Sequence, residues 1–458
     1  MPNKRKVIVK FIVILYLFIL ALIIEGWLVK SFYHNSDRFI KFQNIAVFLA
    51  NLPSKVKNDI LSINKISTDI QKITPDSYSQ PSRFHFDYNQ KKDTFKLYKN
   101  HTNEGLLLLS HYDSDLQRFV FRLKKLTSFE NIIEIIPNFK SLEIDGSLKK
   151  AKNIKFVNPL IDDDLNIVTS PENGPLIKFN SCGDIVWKND EFTFHHSKNF
   201  DSHGNIIVPI RYKDKKIDKK FFNNEKYEQL IDEGIAIVSP VTGEVLYEKS
   251  LTNLLIDNNY HNKVFGNLIF TPDLYHINDI EPALSDTTYW NKGDLFISLL
   301  MQSIIIQFRP ETNKIIRIID GPYYRQHDID IIDDSKISIF NNNLLTTFKY
   351  FAKGELIKDF HNEVIIYDFE KNTYEKYIDE AMRKNKVATF SEGLSEILNE
   401  DMSILVEDQN SGRLVYFDNN GSLIWEFINK DLNGNIYQIG WSRLLSNFKV
   451  KREKNCNN

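Results

Sequence analysis

The sequence is poor in cysteine: of 458 residues only Cys182 and Cys456 carry a thiol. Neither stands at a metal-ligand spacing, which excludes zinc-finger folds and cysteine-stapled scaffolds. Cys182 falls in a hairpin turn and Cys456 near the tail, and no disulfide between them is expected. Glycine-rich loops that cradle phosphate are also missing, which sets nucleotide-dependent chemistry aside. No charge of one sign dominates: 58 Lys and Arg face 60 Asp and Glu, a net of −2. With no basic stripe beyond the amino terminus, a nucleic-acid partner is excluded. What is present, 42% hydrophobic and 13% aromatic residues, suffices for a sizeable core. A single all-β domain can exceed the average domain length, so the chain need not be divided further.

The amino terminus differs from the rest. Lys4, Arg5 and Lys6 precede an apolar run over residues 7–29, broken only by Lys10, Glu25 and Gly26. Its uninterrupted part, 11–24, has the length of a signal-peptide core; with flanks that snorkel, the whole run can span a bilayer. No small-residue cleavage site follows, since Glu25-Gly26-Trp27-Leu28-Val29-Lys30 is bulky. The expectation is an uncleaved signal anchor over 1–30, with a cleaved signal peptide as the alternative. It makes the chain a single-pass inner (cell) membrane protein with everything after Lys30 in the periplasm or outside. Residues 31–95 read as a helical spacer and linker: Phe39, Phe42, Ile45, Phe48 and Leu49 share a helical face, and Pro53 starts or kinks a second helix.

From residue 96 a hairpin pattern repeats. An apolar strand, an Asn/Asp/Gly turn and a second strand recur at 176–187, 236–247 and 414–425, and less regularly at 119–136, 304–316 and 364–377. Six such units at roughly 45–60-residue spacing predict a six-bladed β-propeller over 96–446, with a tail at 447–458. The runs 105–110 and 293–299 read as inner strands. Residues 437–445 read as a closing strand beside the first blade, because an open edge invites aggregation. A large β-sandwich is the alternative, but it does not require six similar hairpins. The fold class is thus all-β, a propeller preceded by a transmembrane helix and a helical linker.

Histidines ride on this repeat. His195-His196 precedes Asp201, His276-Ile277-Asn278-Asp279 leads toward an apolar strand at 294–299, and Gln326-His327-Asp328 precedes Asp333. His195 and His327 each lie six residues before an aspartate, so this register favours His195 over His196 as the member facing the common axis. Imidazole can be a nucleophile, a general acid or base, or a metal ligand. The segments lack the i, i+4 histidine pair or clustered carboxylates that favour a metal. Asp418-Asn419-Asn420-Gly421 resembles the start of a calcium loop but lacks the later carboxylate, and a hairpin turn accounts for it.

Over residues 97–445 the chain resembles the bacterial arylsulfotransferases, donor-ester-dependent enzymes built on a six-bladed propeller. The resemblance rests on Phe194-His195-His196 before Asp201, Tyr275 to Ile280, Ser298 to Ser303, and Gln326 to Asp330 followed by Ile339-Phe340-Asn341-Asn342. Gly412-Arg413, Trp425-Glu426 and Trp441-Ser442-Arg443 complete it. It implies ping-pong transfer of a sulfuryl group from an aryl sulfate ester to a phenol, with no cofactor or metal. It makes His327 the nucleophile; His276 and one of His195 and His196 hold the sulfuryl oxygens and move the phenol proton. Asn278 and Arg325 are expected to bind substrate. One departure stands out. The family places an arginine in the segment aligned with 298–303, and this chain has Leu300. Arg325 or Arg443 is expected to supply the missing cation, Arg325 more so because a strand residue at i−2 points to the same side as His327. The rival expectation from Leu300 is a non-catalytic propeller that binds a ligand or partner; a third is a sulfatase-like hydrolase, if water reaches the sulfated histidine.

Overall fold

The structure, a computed structural model, describes residues 13–21, 23–24, 94–138, 154–213, 231–266, 273–344, 361–432, 434–446, 448, 450 and 456. The chain divides into two compact units, Met1–Asp69 and Ile70–Asn458. In the first, residues 13–21 and 23–24 are helical with exposed apolar side chains. No helix among the described residues is long and apolar enough to cross a membrane. The rest of the anchor expected over 1–30, and nearly all of the spacer expected over 31–95, lie outside the described residues.

The second unit is built of antiparallel strands that follow the hairpin pattern. β1 (Phe95–Leu97) opens it, followed by β2 (Leu106–Asp113), β3 (Arg118–Lys125) and β4 (Asn131–Ile135). Then come β5 (Phe156–Ile161), β6 (Ile167–Pro171), β7 (Asn173–Phe179), β8 (Ile185–His195), β9 (Asn199–Phe200), β10 (Ile206–Arg211), β11 (Glu233–Val238) and β12 (Val245–Ser250). Two four-stranded meanders follow. One is β13 (Ile277–Pro282), β14 (Leu295–Leu299), β15 (Ile304–Arg309) and β16 (Lys314–Asp320); the other is β17 (Asp328–Asp333), β18 (Lys336–Asn341), β19 (Glu363–Asp368) and β20 (Thr373–Tyr377). The last strands are β21 (Leu394–Ile397), β22 (Ile404–Asp408), β23 (Arg413–Phe417), β24 (Leu423–Ile428) and β25 (Arg443–Leu445).

Each of the six hairpins read from the sequence is present, as β3–β4, β7–β8, β11–β12, β15–β16, β19–β20 and β23–β24. Their turns carry one residue with positive φ: Phe129, Gly183, Gly243, Asn313, Asn372 and Gly421. In five of the six a register shift sits beside the turn, the bulge such a residue permits. The closing strand is also present: β25 pairs with β2, and β1 adds to β24, so the first and last described strands are tied into sheets. The architecture is all-β and propeller-like.

Where six separate blades are expected, four sheets of four or five strands stand alone: β25-β2-β3-β4, β13 to β16, β17 to β20, and β1-β24-β23-β22-β21. The remaining sheet has eight strands, because β8 runs on past its hairpin and pairs with β10 through Phe194 and Thr193. The core lies between neighbouring meanders. Leu108, Phe121 and Phe156 fill one layer, Leu109, Leu405 and Trp425 another, and Phe296, Ile339 and Phe369 a third. Within the eight-stranded sheet, Leu160, Val168 and Leu176 pack against Val208, Ala236 and Val238. Burying these side chains stabilises the fold by about 1.5–3 kcal/mol each relative to exposure.

One expectation is corrected. Cys182 and Cys456 form a disulfide, with 5.6 Å between their Cα atoms. The tail beyond β25 lays Phe448 on the apolar layer that also holds Ile185, which brings the carboxy terminus beside the β7–β8 turn. Nothing in the spacing of the two cysteines reveals that path.

Candidate active site

Inner segments pack side by side, β9 and β10 beside β13, β13 beside β17 and β17 beside β21. At or just before each inner segment stands one non-glycine residue with positive φ: Asn158, His196, His276, Arg325, Glu392 and Trp441. This backbone is costly for such residues and is kept only where the surroundings over-determine it. The recurrence sets a repeat frame different from the one the aspartate spacing indicated. In it His196, His276 and Arg325 are equivalent, whereas His327 is equivalent to Asn278, two residues further on.

His196 therefore takes the place that spacing assigned to His195. Its ring centroid lies 5.0 Å from that of His276, 6.4 Å from that of His327 and 5.6 Å from that of Trp441. His195 is the last residue of β8 and is fully buried behind it, Nδ1 2.7 Å from His196 Nδ1 and Nε2 3.6 Å from Glu233. Burial, Arg211 and neighbouring positive groups hold the His195 pKa well below the usual histidine range. Burial and the other histidines do the same to His196. Both are neutral imidazoles.

His327 is held at both ring nitrogens. Its Nδ1 is 2.6 Å from Asn342 Oδ1 and 3.2 Å from the Arg325 carbonyl, and its Nε2 is 3.0 Å from the backbone N–H of Glu392. Burial pulls its pKa down to about 3, helped by His276 and Arg325 and opposed by the Asn342 bond. His276 Nδ1 lies 2.6 Å from Asp273. Burial works against ionisation of Asp273, but hydrogen bonds and charge from His276 and the Arg211 guanidinium hold it below the ordinary carboxylate range. Asp273 thus stays an anion beside His276.

The two candidate cations separate clearly. Arg443 Nη2 donates to Asn158 Oδ1 at 2.7 Å and to the Lys198 carbonyl at 2.8 Å, a structural brace. The Arg325 guanidinium has no hydrogen bond or ion pair among the described residues, yet its charge reaches His327. The reason differs from the expected one: Arg325 lies before β17 in a left-handed bend, not at i−2 of a strand. Leu300 is half-buried in the turn after β14, and its N–H donates to the His276 carbonyl at 3.1 Å. Asn278 is fully buried; its Nδ2 donates to the Gln326 carbonyl at 2.7 Å, bracing the His327 segment, and its Oδ1 has no partner among the described residues.

Several residues at the site are not visible as such in the sequence. Arg211 ends β10; it donates through Nε to Glu233 at 2.8 Å, and its Nη2 is 3.4 Å from His276 Nδ1. Glu233, fully buried, also accepts from the Ile277 N–H at 2.7 Å, so one carboxylate fixes both Arg211 and the backbone beside His276. Glu407 accepts from the N–H groups of Trp441 and Ser442 at 2.9 and 2.7 Å and so holds the strained Trp441 across His196 and His327. Strand-end charge is a weak signal for Arg211; no sequence signal marks Glu233 or Glu407. Among the described residues, one set of His, Asp and Glu has donor atoms close enough to share an ion, namely His361, Glu363 and Asp379. There Lys376 Nζ already lies 2.5 Å from Glu363.

The site is thus three imidazoles from separate inner segments, His196, His276 and His327, with an uncommitted arginine beside them. That set can form and break a bond to an anionic ester through nitrogen and move a proton to its leaving oxygen. The arylsulfotransferase (ASST) family pattern matches residues 164–430, more than half of the chain, and takes in all of these histidines. The chain belongs to the arylsulfotransferase family. No curated protein matches it. Among solved structures it is similar to a protein of unknown function from Bacteroides caccae, with 12% identity, a TM-score of 0.46, and coverage of 74% of this chain and 99% of that one. It is also similar to virginiamycin B lyase from Staphylococcus aureus (10% identity, TM-score 0.36, covering 61% and 72%). A streptogramin B lyase is a further match (13%, 0.32, covering 69% and 77%).

Proposed function

We propose that the protein transfers a sulfuryl group from an aryl sulfate ester to a phenolic acceptor through a sulfohistidine on His327. The observation that carries this reading is the convergence of His196, His276 and His327, with His327 buried, neutral and tied at Nδ1. The Nε2 lone pair attacks sulfur, the N–S bond forms, and the S–O bond to the aryl group breaks with its electron pair going to the phenolic oxygen. His276, backed by Asp273, protonates that oxygen, and His196 holds the sulfuryl oxygens. The acceptor phenol then returns its proton to His276 as its oxygen displaces the histidine. Arg325 balances the sulfuryl charge that the family's arginine meets at the position of Leu300, and Asn278 offers its Oδ1 toward substrate.

Leu300, together with the Glu392 N–H that occupies His327 Nε2, favours a second reading, a propeller that binds a ligand without turning it over. The full chain, mixed with an aryl sulfate and a phenol, decides between them. Phenol release that accelerates with added acceptor supports transfer, release indifferent to acceptor indicates a hydrolase, and no release leaves the binding protein.

The eight-stranded sheet is read as two blades, β5 to β8 and β9 to β12, making six in all. In support, β8 and β10 share only two residue pairs, and an apolar layer separates the halves. We place the domain on the periplasmic or outer side of the inner membrane, held by an uncleaved anchor over 1–30. The basic flank and apolar run support this, as does a disulfide, a bond that persists in oxidising compartments. Amino-terminal sequencing of the mature protein that starts beyond Lys30 removes the anchor.

A further inference from the structure

Asn342 lies just beyond β18 and is fully buried. Its Nδ2 donates to two backbone carbonyls, Glu392 at 2.8 Å and Thr389 at 3.2 Å. Carbonyls only accept, so turning the amide over would set oxygen against oxygen; the Asn342 oxygen must be the atom that meets His327 Nδ1. An amide oxygen accepts and cannot donate, so His327 Nδ1 carries the proton. The Arg325 carbonyl, also an acceptor, lies on the same nitrogen. The other side of the ring gives the same answer independently, because the Glu392 N–H is a donor and Nε2 must present its lone pair to it. The Asn342 oxygen, the nearer of the two acceptors on Nδ1, and the Glu392 N–H on Nε2 thus agree on one tautomer.

We propose that Asn342 is a positioning residue for His327: it fixes the proton on Nδ1, leaves Nε2 as the single nucleophilic nitrogen, and holds the 389–392 segment that covers it. The catalytic consequence rests on the sulfotransferase reading above; the tautomer does not. The covering segment has further braces besides the Asn342 side chain. Thr389 exchanges hydrogen bonds with Asn362 at 2.6 and 2.8 Å, and the Glu392 carboxylate meets the buried Lys155 ammonium at 2.8 and 2.9 Å. Gly393, at φ +93°, has no room for a Cβ between Thr389 and Phe340. The N–H is therefore set at a defined point over Nε2. Attack on sulfur exchanges the N–H···N bond for an N–S bond, and the freed N–H then faces the sulfuryl oxygens.

The test is a long-range proton–nitrogen spectrum of the full chain labelled with ¹⁵N-histidine, the His327 signals being assigned by their loss in His327→Gln. The expected wild-type pattern is a protonated-type Nδ1 and an unprotonated-type Nε2. The opposite pattern, or signals averaged between tautomers, overturns the proposal. Asn342→Ala removes the nearer acceptor on Nδ1 and the donor that holds the 389–392 carbonyls. It should therefore shift the pattern toward averaging and slow the first burst of phenol from an aryl sulfate by about 10–100-fold, the usual effect of losing such a supporting contact. Asn342→Asp keeps an acceptor at Nδ1 but sets its second oxygen against the Glu392 and Thr389 carbonyls, so it should keep the Nδ1–H pattern and recover only part of the lost rate. An Asn342→Ala protein with the wild-type spectrum and burst overturns the positioning role. If that variant does not fold, the wild-type and Asn342→Asp spectra decide. A wild-type protein with the expected spectrum and no burst refutes the sulfotransferase reading and leaves the tautomer standing.

Discussion

His195 and His196 are adjacent, yet replacing them should have opposite consequences. His196 lies against the rings of His276, His327 and Trp441, so under the proposed transfer His196→Ala removes a group that faces the sulfuryl oxygens. Loss of one such donor costs about 2.7–4 kcal/mol of transition-state stabilisation, or 10²–10³-fold in the transfer step. The fold loses little more than one side-chain hydrogen bond, about 1–3 kcal/mol, because only His195 Nδ1 is orphaned. His195→Ala empties a fully buried position beside Glu233. The cavity and the disturbed Glu233–Arg211 pair should cost about 2–3 kcal/mol of stability. Transfer should fall no more than about tenfold, since no histidine facing the site is lost. Single-turnover mixing with an aryl sulfate, read beside urea unfolding, separates the two. A His195→Ala protein of full stability and collapsed transfer, with His196→Ala near wild type, refutes the frame in which His196 is axial.

Three further outcomes follow from the same geometry. Arg325→Ala should lower transfer by at least about 10²-fold while leaving the urea midpoint nearly unchanged, and Leu300→Arg in that background should recover part of the loss; an unaffected rate removes Arg325 from the site. His327, pushed down to about 3 from 6.5, is neutral across pH 5–8, so its protonation should impose no falling limb on burst formation in that range. Between pH 6.5 and 3 the unfolded state takes up the proton that folded His327 refuses, so stability falls as pH falls; His327→Gln should flatten part of that slope in pH-dependent urea titrations. Cys456→Ser releases the tail from the β7–β8 turn and should lower unfolding free energy by about 2–5 kcal/mol, and reducing agent should affect wild type but not the variant.

The hairpins were legible because their turns demand residues with φ > 0, and Gly183, Gly243, Gly421, Asn313 and Asn372 advertise that demand. The inner frame was not, because the left-handed positions there are filled by His196, His276, Arg325, Glu392 and Trp441, residue types that give no such signal. That is why aspartate spacing pointed to His195. Asn342 and Trp441 belonged to segments whose likeness to the family was visible, but what they touch was not. Glu233 and Glu407 act by gripping backbone N–H groups of other segments, and long-range bonds of that kind leave no local trace. The disulfide depends on where the tail packs, which two isolated cysteines cannot encode. The joining of two meanders into one eight-stranded sheet arises from the length of β8, which runs past its hairpin as far as His195.

The central claim is that His327 carries the sulfuryl group. The direct measurement is peptide mass spectrometry after milliseconds of mixing the full chain with an aryl sulfate in the absence of acceptor, quenched at alkaline pH to protect an N–S bond. The account predicts one added SO₃ per chain, located on His327, released when a phenol is supplied and absent from His327→Ala. Phenol release with no modified His327, or an SO₃ group found on another side chain, contradicts it.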